Sequence, residues 1–263
     1  MDKPNTASLP PGTQVIGRVA SILTHIGQQP VTGLSTRDLV TLTGLSRPTL
    51  LRMLGALEAL GYVGRDATSG NWLLGSELQV LGALSSQRFS IEQLAREPLQ
   101  RLADASGESA FFSLRRGSHT VCVGHAEGGF PLRSFVLYVG RRFPLGVASA
   151  GMAIFAELSE AEQQRVLADN AAELETYGPA NTPERILQHA RETRERGYVV
   201  NPGLILAGSW GMAAPVFDAA GAPIAALSFT GVESRFGPDR QPELGRLLVE
   251  EAQGMTEALA RGA

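Results

Sequence analysis

Cysteine is almost absent from this chain: Cys122 stands alone, so no internal disulfide can form and no thiolate cluster can hold a metal. Lysine is as scarce. Lys3 is the only one in 263 residues, and with it goes any glycine-rich phosphate cradle of the type that ends in lysine. No run of about 18 apolar residues appears, the length a helix needs to cross a bilayer. Residues 1–11 are polar and proline-rich, without the basic start and apolar middle of a secretion signal, so the expected location is the cytoplasm. The G-x-S-x-G spacing of a nucleophile elbow is missing too. Around Ser149 and Ser209 the glycines fall at the wrong positions, and no ordered Asp and His pair with an obvious role follows either serine. Catalysis and cofactors are therefore not expected.

What is present is enough apolar sequence, 43% of 263 residues, to fill two separate cores. The most informative stretch is 35–74. Ser35 stands three residues before Asp38, a capping-box-like start in which serine oxygen and carboxylate satisfy opening backbone N–H groups. Gly44 stops that helix. Ser46 then caps a second one, and Pro48 is tolerated in its first turn because the N–H it lacks would have no acceptor there.

On this second helix Leu50, Leu54, Leu57 and Gly61 follow one face, while Pro48, Thr49, Arg52, Ala56 and Ala59 follow the other. One face is core and the other is free to touch something. Two short strands, 63–66 and 72–74, follow around a Thr-Ser-Gly-Asn turn and bring Arg65 beside that free face. The order is that of a winged helix-turn-helix, whose expected partner is double-stranded operator DNA. Ser46, Arg47, Pro48, Thr49, Arg52 and Arg65 are the candidate contacts, with Arg52 first for a base edge.

Charge supports this reading only through assembly. Residues 1–75 carry six Lys+Arg against four Asp+Glu, a surplus of two, while the remainder carries 17 against 22. So mild a surplus neutralises few phosphates, and two such heads on one duplex are the natural remedy, hence an expected homodimer or dimer of dimers. A protein-binding scaffold that docks a partner through the same helices is the competing reading. A serine hydrolase using Ser149 or Ser209 is a further alternative, and it lacks a base.

After the wing, 76–87 carries Leu78, Leu81 and Leu84 in a narrow stripe suited to a linker helix. Ser90 can cap the next helix, in which Ile91, Leu94, Leu99 and Leu102 recur up to Gly107 and Pro98 is awkward. From 110 to 140 the period changes to strands, at 111–114, 120–123 and 133–139. On such a strand His119 and His125 share a face that Cys122 does not, so the three do not converge on a metal. Helices are expected at 151–158, 159–170 and 182–196, strands at 211–217 and 223–231, and a last helix at 242–259. Strands covered by helices make an α+β sensor-type domain.

Both halves resemble the IclR family of bacterial transcription regulators, over about 15–260. The head is recognisable in Leu45-Ser-Arg-Pro-Thr-Leu-Leu-Arg52 and Leu60-Gly-Tyr-Val63. The second half is recognisable in Pro144-Leu145, Gly151, Gly197-Tyr198, Ala214-Pro-Val-Phe-Asp218 and Ala226-Leu-Ser-Phe-Thr-Gly231. This resemblance implies a flexible N-terminal tail at 1–12, a winged helix-turn-helix domain at 13–75, a linker helix at 76–89 and a GAF-like α/β effector-binding domain at 90–263. It also implies an effector pocket lined by Ala148, Ser149, Ala150, Asn201, Gly211, Ser228 and Thr230, with Trp210 next to them. Ser228 and Thr230, two apart on a strand, present both hydroxyls to one side.

The chain departs from the family after Tyr198, where acidic residues are usual and 199–206 has none, and at Met152, where lysine is usual. An apolar, aromatic-bearing lining with a few donors points to a small organic acid of aromatic or hydrophobic character. Arg133 is a candidate partner for its charge. The expected function is a ligand-responsive regulator of a catabolic operon.

Overall fold

The computed structural model describes residues 10, 12–86, 91–132 and 134–262. Nearly all of the expected tail 1–12, the expected cap Ser90, Arg133 and the end of the expected linker helix lie outside them. The chain divides into two compact units, residues 1–89 and 90–263.

The first unit packs α1 (Gln14–Gly27), α2 (Thr36–Thr43) and α3 (Arg47–Ala59) against the hairpin β1 (Val63–Arg65) and β2 (Trp72–Leu74), followed by α4 (Ser76–Ser86). Ile22, Ile26, Leu39, Leu50, Leu54, Leu57, Val63 and Trp72 form its core. The helix period dictates that core, since Leu50, Leu54 and Leu57 fall on one side of α3 and all three are buried. Gly33, at φ +61°, lets the chain pass under the hairpin, because a Cβ there would meet the Trp72 carbonyl oxygen at 2.5 Å. The next residue, Leu34, bridges to Trp72. On α4 the stripe of the sequence reading is half-buried at Leu78 and exposed at Leu81 and Leu84.

The second unit opens with α5 (Ile91–Leu94) and α6 (Arg96–Ser106), two helices where one was expected. The break at Ala95 places Pro98 in the first turn of α6, where its missing N–H costs nothing. Strands β3 (Ser109–Arg116), β4 (His119–Ala126) and β5 (Arg142–Pro144) follow. The expected strand at 133–139 is a correction: its described residues, 134–139, form bends and turn, and the strand lies further on, at β5. That run is β-prone in composition, but Phe143 and not Phe135 is the one buried against the sheet, and tertiary burial decides.

Then come α7 (Ser149–Ala156), α8 (Glu160–Asp169), α9 (Ala171–Leu174), α10 (Pro183–Arg196), β6 (Val199–Asn201), β7 (Ser209–Phe217), β8 (Pro223–Val232) and α11 (Gln241–Ala260). Ser159 and Glu162 complete a capping box on α8, and Thr182 caps α10 ahead of Pro183. The six strands of this unit form one antiparallel sheet, ordered β5-β4-β3-β8-β7-β6. Phe112, Leu114, Met212, Leu227 and Phe229 face α6 and α11 on one side. Ala213 and Ala226 face α7 and α10 on the other.

A register break at Phe112/Ser113 pairs Ser113 with Cys122 but Phe112 with Gly124, leaving an extra residue in β4. Beyond it the alternation reverses, so His125, opposite Phe111, lies on the side of Cys122 and away from His119. The sequence reading put the two histidines on one face. His119 is bonded instead to Glu173, 2.8 Å from its Nε2. Among the described residues no cluster of His, Cys, Asp and Glu could hold a metal, and no helix is long and apolar enough to cross a membrane.

Candidate functional sites

The first site is the free face of α3 with the hairpin beside it. Ser35 accepts the Asp38 N–H at 3.1 Å and donates its hydroxyl to the Asp38 carboxylate at 2.6 Å, so it starts α2 firmly. Gly44, at φ +67°, ends that helix in the left-handed conformation glycine tolerates best. Ser46 then occupies the cap position of α3 without capping it. Its hydroxyl donates to Thr49 Oγ1 at 2.9 Å, a correction to the expected cap, and the opening N–H groups of α3 receive no side-chain cap. Such groups at the positive end of a helix favour an anionic partner.

Arg47, Pro48 and Arg52 are exposed along this face and Thr49 is half-buried. Arg52 makes no ion pair among the described residues. Arg65 behaves differently, its guanidinium lying 4.7 Å over the ring of Trp72, its register partner in the hairpin. Trp72 is itself anchored by a hydrogen bond from Nε1 to Thr36 Oγ1 at 3.0 Å. At the hairpin tip Asp66 accepts from the N–H groups of Thr68 and Ser69 and from the Ser69 hydroxyl. The Ser69 N–H, more than any other group, holds the Asp66 carboxyl below its ordinary range.

The second site is a narrow, partly open pocket between the sheet and the start of α7, with about 450 Å³ of non-atom space counted out into its open mouth. All eight residues implied by the sequence reading border it: Ala148, Ser149, Ala150, Asn201, Trp210, Gly211, Ser228 and Thr230. Ser149 sits over Gly211 so closely that a Cβ on Gly211 would lie 2.4 Å from Ser149 Oγ, so a side chain there would have to push the serine hydroxyl aside. Ser228 is 1% exposed, and its hydroxyl has no hydrogen-bond partner among the described residues. An unsatisfied buried hydroxyl carries a real cost, commonly offset by a partner that arrives later.

Two of the eight have other work. Asn201 donates to the Val147 carbonyl at 3.0 Å and accepts the Leu204 N–H at 3.0 Å, tying β6 to the loop before α7. Trp210 alternates with Gly211 along β7 and packs on the other side of the sheet, so its indole does not supply the aromatic lining. The aromatic wall is Phe143, which sequence reasoning missed, together with the aliphatic Val136, Leu137 and Ile205. Ser113, Thr120 and Ser209 were missed as well. They come from β3, β4 and β7, and only the strand order brings them together.

Among the described residues none that lines the pocket carries an ionisable side chain. None of the four histidines, His25, His119, His125 and His189, borders the cavity. Neither Ser149 nor Ser209 therefore has a base, and Ser209 Oγ is instead 2.5 Å from Ser134 Oγ. Cys122, buried on the same side of the sheet, has its thiol pushed up to about 12 by burial, so it stays protonated and inert.

A helix-turn-helix head with an uncapped second helix, followed by a sheet domain holding a small, mostly apolar pocket, has the build of a DNA-binding regulator with a sensor domain. Family comparison agrees over both parts. Residues 15–67 match the IclR helix-turn-helix domain, and residues 83–256 match the bacterial transcriptional regulator IclR C-terminal domain. The chain belongs to the IclR family of bacterial transcriptional regulators, which are DNA-binding proteins and not enzymes.

It is 28% identical to the HTH-type transcriptional regulator KipR of Bacillus subtilis over 83% of this chain and 87% of KipR. The crystal structure of a transcriptional regulator from Alicyclobacillus acidocaldarius superposes with a TM-score of 0.79 at 25% identity, covering 94% of this chain and 98% of that one. An IclR homolog from Microbacterium hydrocarbonoxydans, solved in complex with 4-hydroxybenzoate, has a TM-score of 0.73 at 21% identity, covering 93% and 100%.

Proposed function

We propose that this chain is a ligand-responsive regulator of a catabolic operon in which the head at 13–75 reads operator DNA and a GAF-like domain at 90–263 senses an aromatic or hydrophobic carboxylate. The observation that carries it is the pairing of an uncapped, arginine-bearing helix in one unit with an unpartnered buried hydroxyl in a pocket of the other. On the DNA, Arg52 is the base-reading residue, the start of α3 with Ser46, Arg47, Pro48 and Thr49 takes a phosphate, and Arg65 supports from the hairpin.

In the cavity the carboxylate takes the N–H groups that open α7, with Ser149 and Thr230 beside them. Phe143, Val136, Leu137 and Ile205 enclose the apolar body. That the same fold holds 4-hydroxybenzoate in the Microbacterium protein is in keeping with this class of ligand. Dimers, singly or paired, set two heads on one duplex, and α4 carries the signal. A ligand that prefers one arrangement of the heads by tenfold to a hundredfold supplies roughly 1.4 to 2.7 kcal/mol of coupling per site.

The test is binding of the purified chain to its own upstream promoter fragment against random duplex, with and without a panel of organic acids. Specific binding that one acid shifts is expected. Equal affinity for both duplexes under every condition would remove the proposal.

A further inference from the structure

We infer that the effector is a monoanion whose apolar body carries a second, uncharged hydrogen-bonding group, a hydroxyl above all, about 7 Å from its carboxylate. This rests on the reading of the cavity as the effector site. Thr230 lies opposite Gly211 in the sheet, and Ser149 stands over Gly211, so these residues and the first N–H groups of α7 form one polar corner. The cap position there is Ala148, whose side chain accepts nothing. A carboxylate fits that corner.

Ser228 is elsewhere. It lies two residues back along β8, a step of about 7 Å on the same face of the strand. Its register partners are Ala213 on one side and Phe111 on the other, and its hydroxyl has no partner. A lone O–H between apolar neighbours can pair with one neutral hydroxyl, either donating to it or accepting from it. It cannot compensate the desolvation of a second carboxylate, and among the described lining residues there is no cation to help. The pocket thus selects by charge count at one end and by the unpartnered Ser228 hydroxyl at the other.

The test uses two matched series at the second position: benzoate, 4-hydroxybenzoate and terephthalate, then hexanoate, 6-hydroxyhexanoate and adipate. Calorimetry on the full chain is expected to show the hydroxy acid of at least one series binding about tenfold tighter than its parent. The dianion should bind weakest. In Ser228→Ala the tenfold gap should close, while the apo protein melts about 2 to 4 °C higher because an unsatisfied buried group has gone. A merely structural serine would lower that melting point instead.

The inference is overturned if a dianion binds as well as its hydroxy analogue, if the gap survives in Ser228→Ala, or if no member of either series binds. Promoter binding by the head is measured separately, so a failure here is distinguishable from failure of the regulator reading.

Discussion

The two candidate sites of this protein are built in opposite ways. In the head, Arg47, Pro48, Thr49 and Arg52 are contiguous, and the charged ones are exposed. In the sheet domain the lining runs from Ser113 to Thr230 and, among the described residues, holds no charge. A convex charged face suits a large polyanion that is already hydrated and already rigid. A neutral pocket suits a small ligand that brings its own charge to a prepared helix end. The difference teaches that the head can be read from local spacing, whereas the pocket depends on strand order.

The sharpest way to break this comparison is to melt one unit alone. Leu54→Ala should cost about 2 to 5 kcal/mol through the cavity it leaves in the fully buried core of the head. Denaturation followed separately at Trp72 and Trp210 should then show the first transition moving to lower urea and the second staying in place. A common shift of both would mean that the two units fold as one.

Arg52→Ala should weaken operator binding by about 1 to 3 kcal/mol and relax preference at one base position. Unchanged footprints would take Arg52 off the base edge. On the other side of the comparison, Gly211→Ala should destabilise the sheet domain by about 1 to 3 kcal/mol, because the added Cβ meets Ser149 Oγ and the Phe229 carbonyl. Its effector affinity should fall as well, and calorimetry showing wild-type affinity would mean that Ser149 is not needed.

The smallest expected effect is on pH dependence. Burial pushes the His189 imidazole below its ordinary value of 6.5, with the Val200 carbonyl at 2.9 Å opposing. Below 6.5 the unfolded chain therefore holds the more protons, and stability of this unit falls as pH drops, levelling off under the folded value. His189→Gln should flatten that slope in urea titrations of the sheet domain. An unchanged slope would assign the acid sensitivity elsewhere.

How far the chain could be read before its structure follows from the same contrast. Ser35, Gly44, Leu50, Leu54 and Leu57 act through neighbours within a turn or two, so their roles were visible as spacing. Ser46 was misread because its hydroxyl had a second local partner, Thr49, and spacing alone does not choose between accepting a backbone N–H and donating to a neighbouring hydroxyl. The cavity was legible through family likeness at eight positions, yet the likeness missed that Asn201 is occupied and that Trp210 turns away. Phe143 went unnoticed because three residues of edge strand leave almost no periodic signal.

By itself, then, the order of residues determined the helix starts and stops, the two apolar cores, and the absence of thiolate, lysine and nucleophile chemistry. These are short-range properties, set by backbone capping, side-chain period and composition. Tertiary structure alone decided which hydroxyls meet in the cavity, that one register break separates His119 from His125, and that Ser228 is left without a partner. Those depend on which strands lie side by side, and pairing across more than a hundred residues is settled by the burial of the whole sheet.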